Sequence, residues 1–180
     1  MKQNSGIRLI GRCGALALAA VLSCGAFAAC KKQPNAEQNG QTDTADLHQK
    51  EFTDAGVTVT LSDSFKKSTV TGYTIAYEAT DSLLLGLKEN DSSLNGKTLD
   101  QYANLVISNN ASLQGISVKH DDGLTYFEFE STVDDVTYRY FAAVYQNGDD
   151  YWLMQFASQK KDYNAKRADF VKYAKSVRFS

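Results

Sequence analysis

The sequence predicts an α+β fold, with a mainly antiparallel sheet of about six or seven strands and two main helices. Three observations support this prediction. Short segments of alternating apolar and polar residues recur from residue 52 onwards, which is typical of strands. Tight turn signals separate the last of these segments, so neighbouring strands are expected to run antiparallel. Two longer segments instead repeat apolar residues at helical spacing.

The first 29 residues have the features of a secretory signal peptide. Lys2, Arg8 and Arg12 form a basic start without an acidic residue. An apolar run of about 18 residues follows, at the lower limit for a membrane span and rich in Gly and Ala. The abrupt change to polar residues after position 30 therefore favours a cleaved leader over a transmembrane helix.

Two cysteines close this leader, and the segment resembles a bacterial lipoprotein signal, in which small residues precede a cysteine that receives lipid on its sulfur. We predict lipidation of Cys30, because the polar segment begins directly after it. Cys24 is the alternative, and a plain signal peptide cut near Ala29 is the third possibility. A lipid-anchored protein on the extracytoplasmic face of the cell membrane is expected, since two acyl chains suffice for stable anchoring.

Residues 30–51 are predicted to comprise the lipidated cysteine and a flexible polar tether. The segment contains Pro34, the only proline of the chain, and almost no large apolar residues. It cannot bury enough surface to offset its ordering entropy. A coil of this length spans roughly 25 Å, so it would hold the domain clear of the lipid headgroups.

Removal of the leader leaves an acidic chain. Three of the 19 basic residues lie in the leader, so 16 remain against 21 acidic residues, a net charge of about −5. Nucleic-acid binding requires a basic stripe, and we therefore predict no nucleic-acid partner. The expected partners are the membrane, through the covalent lipid, and a protein at the membrane surface.

Residues 52–180 are predicted to form one domain. They hold all ten tyrosines, eight of the nine phenylalanines and the single tryptophan, enough apolar surface for a buried core, and no cysteine. Seven segments are predicted to be strands: 57–61, 72–79, 82–89, 115–120, 124–132, 136–146 and 151–158.

The fifth of these strands shows the alternation most clearly. Phe127 and Phe129 are predicted to face the core, while Tyr126, Glu128 and Glu130 point away from it. A tight turn and then an Asn-Gly pair, the strongest short hairpin signal, join this strand to the next two. The last three long strands are therefore predicted to form an antiparallel meander.

The segments 95–113 and 161–179 are predicted helices. Thr98 is the expected N-cap of the first, and Gln101 completes a capping box. Asp162 is the expected cap of the second, and 177–179 is a candidate terminal strand. The predicted apolar stripes consist of Leu99, Tyr102, Val106 and Leu113 in the first helix and of Tyr163, Phe170, Val171 and Ala174 in the second.

Two stretches resemble the PsbP-like superfamily, which includes the extrinsic lumenal subunit of photosystem II and many small bacterial lipoproteins. They are the opening FTDAGVTVTLSDSF at 52–65 and the close DDYWLMQFASQKKDYNAKRADFVKYAKSVRF at 149–179. The resemblance implies an α/β/α sandwich with an antiparallel central sheet. It implies no catalytic residue, because the matching positions are packing and turn residues, and it implies a docking or assembly role by analogy of fold.

The sequence gives only a weak indication of a metal site. Three acidic doublets, Asp121-Asp122, Asp134-Asp135 and Asp149-Asp150, lie at predicted turns. Calcium prefers several carboxylate and carbonyl oxygens, so convergence of the first and third doublets would provide a site. Aspartate is also common in turns because it bonds its own backbone. We therefore predict no metal, and no other cofactor.

Two further motifs are better interpreted as structural than as catalytic or ligand-binding. DSSLNGKT at 91–98 ends like a phosphate-binding loop, but Asp91 occupies the position of the first glycine, and a polar turn before the helix is expected. His120 precedes two aspartates, but no nucleophile or metal ligand accompanies it, and a surface histidine in a turn is expected.

The predicted function is that of a lipid-anchored, non-catalytic binding or assembly module. The alternative is a carrier of a small apolar ligand in a pocket between sheet and helix, and an enzyme is the third reading. A deep apolar pocket would favour the carrier, and an exposed aromatic patch would favour docking, since tyrosine is abundant.

Overall fold

A computed structural model describes residues 48–180, which form two antiparallel sheets and two α-helices. The predicted leader, both candidate lipidation cysteines and most of the predicted tether lie outside the described residues. The strands are β1 Gln49–Asp54, β2 Val57–Ser62, β3 Lys66–Ser68, β4 Ile75–Glu78, β5 Leu83–Glu89, β6 Lys119–Asp121, β7 Leu124–Val133, β8 Val136–Asn147, β9 Asp150–Gln159 and β10 Arg178–Phe179. The helices are α1 Leu99–Ser108 and α2 Lys160–Lys175.

The central sheet has seven strands in the order β3-β4-β5-β9-β8-β7-β6, and every pairing is antiparallel. The α+β fold and the β7-β8-β9 meander predicted from the sequence are confirmed. The predicted strand at 115–120 is largely absent, since β6 begins only at Lys119. β3 was not predicted, because three residues are too few to show a period of two.

The two hairpins of the meander use different turns. Between β7 and β8, Asp134 and Asp135 have φ of 47° and 64°, as a type I′ turn requires. Between β8 and β9, Asn147 pairs with Asp150, so the loop consists of Gly148 and the residue after it. The hairpin that the Asn-Gly pair predicts is confirmed, and of these two residues only Gly148 has a positive φ, at 61°, as in a type II′ turn.

Both faces of the central sheet are covered. α2 packs against β8 and β9 on one face, beside a small sheet of order β1-β2-β10. α1 packs against β7 and β8 on the other face. The predicted outward side of β7 is therefore buried: Tyr126 and Glu128 lie beneath α2, and of the three only Glu130 is exposed. The α/β/α sandwich explains this, because neither face of the sheet meets solvent broadly.

The small sheet contains two strands that the sequence pattern located, β2 and β10, and one that it did not, β1. The predicted strand at 57–61 is β2, and it pairs with β1 and β10, not with the central sheet. β1 begins at Gln49, so residues 49–51 of the predicted tether segment are in a strand. The candidate terminal strand at 177–179 is confirmed as β10.

The two helices begin differently. Thr98 caps α1 as predicted: its Oγ accepts from the Gln101 N–H at 3.2 Å, and the Gln101 Oε1 accepts from the Thr98 N–H at 2.9 Å. α2 begins at Lys160 without a side-chain cap, and Asp162 lies in its first turn, so the predicted cap is wrong. β9 leads directly into α2, so the helix begins three residues earlier than Asp162 as the N-cap would place it.

The buried helix faces differ in part from the predicted stripes. The buried residues of the two helices are Tyr102, Ala103 and Ile107 in α1 and Tyr163, Phe170, Tyr173 and Ala174 in α2. Val106 and Val171 are only half-buried, and Leu113 belongs to a separate 3₁₀ turn, Ala111–Leu113. Neither helix within residues 48–180 is long and apolar enough to cross a membrane.

Candidate functional site

One buried carboxylate with three cations around it lies beneath the edge of α2, and we call this group the Glu128 cluster. Lys119 Nζ is 2.8 Å from one oxygen of Glu128, and Arg139 Nη2 is 4.0 Å from the same oxygen. Arg167 Nε lies 2.8 Å from the other oxygen. The Tyr163 hydroxyl donates to that second oxygen at 2.7 Å.

Strand register and helix spacing bring these side chains together. Glu128 is opposite Phe141 in the β7-β8 ladder, and Arg139 lies two residues from Phe141 on the same face of β8. Tyr163 and Arg167 are four residues apart on α2, one turn above the other. Glu128 thus faces α2 from the sheet, and its partners come from two other strands, β6 and β8, and from α2.

The electrostatics of the cluster keep Glu128 ionised. Burial alone would raise its pKa, but hydrogen bonds from Lys119, Tyr163 and Arg167 outweigh burial and lower the pKa to about 2. Burial and the Glu128 carboxylate together raise the pKa of Tyr163. The hydrogen bond to Glu128 also raises the pKa of Arg167. At neutral pH the cluster is therefore a fixed arrangement of three positive charges and one negative charge.

The cations of the cluster remain accessible, although the carboxylate is not. The side chain of Glu128 is 6% exposed, whereas those of Lys119, Arg139 and Arg167 are 47%, 34% and 37% exposed. The Arg139 guanidinium stacks on the Tyr163 ring, 4.7 Å from its centroid. Within residues 48–180, the Arg139 guanidinium has no hydrogen-bond partner, and its contact with Glu128 is a 4.0 Å ion pair. Its donors can therefore receive an external anion in an orientation that the Tyr163 ring already restricts.

A second feature is a cleft of about 230 Å³ between α2 and the turns that follow β2 and β4, which we call the α2 cleft. Its floor is formed by Phe65, Phe170 and Tyr173, all nearly fully buried. Asp81 and Lys166 form an ion pair of 2.7 Å on its lining. The cleft is small, and its lining mixes hydroxyl and charged groups with apolar side chains, so it does not resemble the deep apolar pocket that a carrier would need.

The fold is similar to that of a solved protein. The chain matches the solution structure of cyanobacterial PsbP (CyanoP) from Synechocystis sp. PCC 6803, with a TM-score of 0.53 and 14% identity, over 79% of this chain and 98% of that one. The domain has the PsbP-like fold. This agrees with the resemblance seen at the two ends of the domain sequence.

A second solved structure has a weaker similarity to this fold. The chain is also similar to a protein of Bacteroides thetaiotaomicron, with a TM-score of 0.48 and 10% identity, over 70% of this chain and 46% of that one. No family model and no curated protein matches the sequence. The likeness of the PsbP-like domain is therefore one of fold, and its function has to be argued from its own surface.

One residue in each of two acidic doublets forms an ion pair with a lysine. Asp122 forms an ion pair with Lys175, and hydrogen bonding to Lys175 lowers its pKa. Asp150 pairs with Lys88 at 2.6 Å, and this contact lowers its pKa also. No group of three or more His, Cys, Asp or Glu residues within 48–180 is placed to hold a metal ion. The Asp121, Asp122, Asp149 and Asp150 side chains thus give the calcium hypothesis no support from geometry.

The other two motifs have structural roles within residues 48–180. His120 lies in β6 and not in a turn, and its Nε2 is 3.2 Å from Asp100 of α1. The segment 91–98 forms a 3₁₀ turn followed by the α1 cap, in which the Asp91 carboxylate accepts from the Ser93 N–H at 2.8 Å. Both motifs connect α1 to its surroundings.

The sequence pattern did not reveal the Glu128 cluster, and the abundant aromatic residues are packed into the domain. No aromatic residue within 48–180 is exposed, so the PsbP-like domain offers no aromatic docking patch there. Glu128 was assigned to the outer face of β7, where a glutamate needs no partner. The available signal was the Tyr163 and Arg167 pair, one turn apart on a helix whose apolar stripe otherwise faces the sheet.

Proposed function

We propose that this protein is a lipid-anchored, non-catalytic docking module on the extracytoplasmic face of a membrane, and that the Glu128 cluster binds an acidic segment of a partner protein. The observation that carries the proposal is the exposed excess of positive charge around a single buried carboxylate. The leader with its terminal cysteine supports the anchor. The PsbP-like fold is compatible with an accessory role.

Charge contrast supports an acidic partner. Residues 48–180 contain 14 basic and 18 acidic residues, so the domain is negative overall. The Glu128 cluster, with three cations and one anion, is a local exception to this sign. A partner with clustered carboxylates would be attracted to this patch and repelled elsewhere, which orients the complex.

Rigidity also supports docking at this position. Glu128 fixes Lys119 and Arg167 at 2.8 Å each, and Tyr163 restricts Arg139 by stacking. Little side-chain entropy is then lost when an anion binds, because the cations are already ordered. A flexible group of surface lysines would lack this advantage.

The test is capture of a partner from native membranes by the full anchored chain. Photo-crosslinking through a probe next to Arg139 should trap one membrane-surface protein, and Arg139→Glu should abolish the crosslink. Lys66→Glu is the matched control, since Lys66 is an exposed cation of β3 outside the cluster. Equal crosslinking by both variants, or binding only to protein-free anionic vesicles, would contradict docking to an acidic protein.

The anchor is tested separately. Mass analysis of the mature N-terminus should find acyl chains on Cys30, and Cys30→Ser should release the protein from the membrane. Acylation that persists in Cys30→Ser and is lost in Cys24→Ser would assign Cys24 instead. An unacylated N-terminus in the wild type would refute the anchored location.

A further inference from the structure

We propose that the α2 cleft binds a single neutral polyhydroxylated ring, such as one sugar unit. This function goes beyond docking at the Glu128 cluster and does not depend on it, because the two sites share no residue. The argument uses the size, the polar groups and the charge balance of the cleft.

The size of the α2 cleft limits the ligand to one ring. Its volume of about 230 Å³ lies below the roughly 300–1,000 Å³ of pockets that enclose drug-sized molecules. One α2 face supplies Lys166, Asp169, Phe170 and Tyr173, at helical spacing, and two turns supply the opposite wall. The walls therefore come from well-ordered elements, and the shape does not depend on a long loop.

The polar groups of the α2 cleft are mostly hydroxyls. Ser62, Ser64, Thr80 and Ser82 line it, and a hydroxyl both donates and accepts hydrogen bonds. The Ser62 and Ser64 hydroxyls already lie 2.9 Å apart, which orders them. Within residues 48–180, the Thr80 hydroxyl has no hydrogen-bond partner. A ligand with several hydroxyl groups complements this surface, and a purely apolar ligand would leave these groups without partners.

The charges of the α2 cleft are balanced by their own neighbours. Lys166 is paired with Asp81 at 2.7 Å, and Asp169 is 3.5 Å from Lys172. A charged ligand would have to break one of these pairs. A neutral ligand can instead accept from Lys166 and donate to the Asp81 carboxylate without separating them, while its C–H groups contact the aromatic floor.

The test is an NMR titration of the full chain, labelled with ¹⁵N and held in zwitterionic detergent. The probes are glucose, N-acetylglucosamine and myo-inositol, each raised through the millimolar range. At least one probe should shift the amides of Thr80, Asp81 and Ser82 in a saturable way. If no probe shifts these amides more than those of the distant β8–β9 turn, the proposal is refuted.

Two variants connect the signal to the cleft. Asp81→Asn should weaken binding about tenfold or more, since it removes a charged hydrogen-bond acceptor. Thr80→Val should weaken it less, because only one neutral hydroxyl is lost. Asp149→Asn is the control, because Asp149 lies in the β8–β9 turn, at the other end of the β5-β9 ladder from the cleft, and does not line the cleft. This variant should bind the probe as the wild type does. Unchanged affinity in both cleft variants would overturn the assignment, even if a probe binds.

Discussion

Glu128 shows how one residue can be both buried and ionised. Burial raises the pKa of a carboxyl group, and donors that bond the carboxylate lower it. Here the hydrogen bonds of Lys119, Tyr163 and Arg167 prevail, and the pKa falls to about 2 from its ordinary value of 4.5. Removing the carboxylate would leave a tyrosine hydroxyl and two cations short of an acceptor, which is the main cost of such a change.

The stability of the domain should therefore depend on pH through Glu128. Because the folded-state pKa is lowered, the contribution of Glu128 is complete above about pH 4.5 and is lost as pH falls towards 2. Glu128→Gln should reduce the free energy of unfolding by roughly 1–3 kcal/mol at pH 7. Urea unfolding of both proteins between pH 7 and pH 2 measures how this difference changes.

The difference between wild type and Glu128→Gln should shrink steadily below pH 4.5. Glu130→Gln is the matched control, because Glu130 lies two residues along β7 and its pair with Lys160 is exposed. Glu130→Gln should reduce the free energy of unfolding by less, about 0–1 kcal/mol. A difference for Glu128→Gln that stays constant down to pH 2 would contradict the low pKa.

Gly86 is a second residue whose identity depends on its neighbours. It lies in β5 between Ile75 of β4 and Met154 of β9. A Cβ atom at this position would be 2.5 Å from Ile75 Cγ1 and 2.9 Å from Met154 Sδ. The backbone of Gly86 does not require positive φ, so packing alone excludes a side chain.

Gly86→Ala should therefore destabilise the domain by about 1–3 kcal/mol, despite the usual preference for Ala over Gly in a strand. In an Ile75→Ala background the same change should cost clearly less, because the closest contact is gone. Chemical denaturation of the wild type, the two single variants and the double variant measures the coupling free energy between positions 75 and 86. Equal costs in both backgrounds would show that steric overlap is not the cause.

At the scale of the element, the two helices differ at their N-termini: α1 has a side-chain cap and α2 has none. Thr98 and Gln101 satisfy each other's backbone N–H groups at the start of α1. At the start of α2, Gln159 makes no side-chain cap bond, and Asp162 interacts only as a charge in the first turn. The two residues that the sequence marks as caps thus stabilise their helices through different physical effects.

Thr98→Ala should cost about 0.5–2 kcal/mol, the usual effect of losing an N-cap. Asp162→Ala should cost about 0.3–1 kcal/mol through the helix dipole, and this cost should disappear in about 1 M salt, which screens charges beyond roughly 3 Å. The cost of Thr98→Ala should persist in salt. Thermal unfolding at low and high salt separates the capping effect of Thr98 from the helix-dipole effect of Asp162. If the cost of Asp162→Ala does not change with salt, Asp162 acts as a cap and not as a charge near the helix dipole.

At the scale of the whole molecule, the small sheet connects the two ends of the domain. β1 pairs with β2 over six residue pairs, and β10 from the C-terminus pairs with the other edge of β2. Phe52 of β1 also contacts Tyr77 of the central sheet, with ring centroids 5.1 Å apart. The first strand is therefore part of the folded domain, and the domain begins before residue 52.

A chain that begins at residue 48 should unfold with the same free energy as one that begins at residue 30. A chain that begins at residue 55 lacks β1 and should lose at least about 2 kcal/mol, since burial of a phenylalanine contributes about 1.5–3 kcal/mol. Urea unfolding of the three chains gives the comparison. Equal stability of the chains from 48 and 55 would show that β1 contributes nothing to the domain.

Much of the fold follows from local patterns. Runs of seven or more residues rich in apolar and aromatic side chains, bounded by turn signals, located the long strands β5, β7, β8 and β9. The Thr98 capping box placed the start of α1 to the residue. Short strands such as β3 and β10 carry too few residues for a period, so their pairing depends on neighbours that are distant in sequence.

The sequence by itself determined the α+β class, the meander, the capped helix and the expectation of a lipidated leader, because each rests on residues close together in the chain. The tertiary structure alone decided that both faces of the central sheet are buried, that β2 belongs to a second sheet, and that Glu128 collects three cations. The Glu128 cluster arises where β6, β7, β8 and α2 meet. No local pattern specifies such a meeting, since the packing of helix on sheet sets which charges become neighbours.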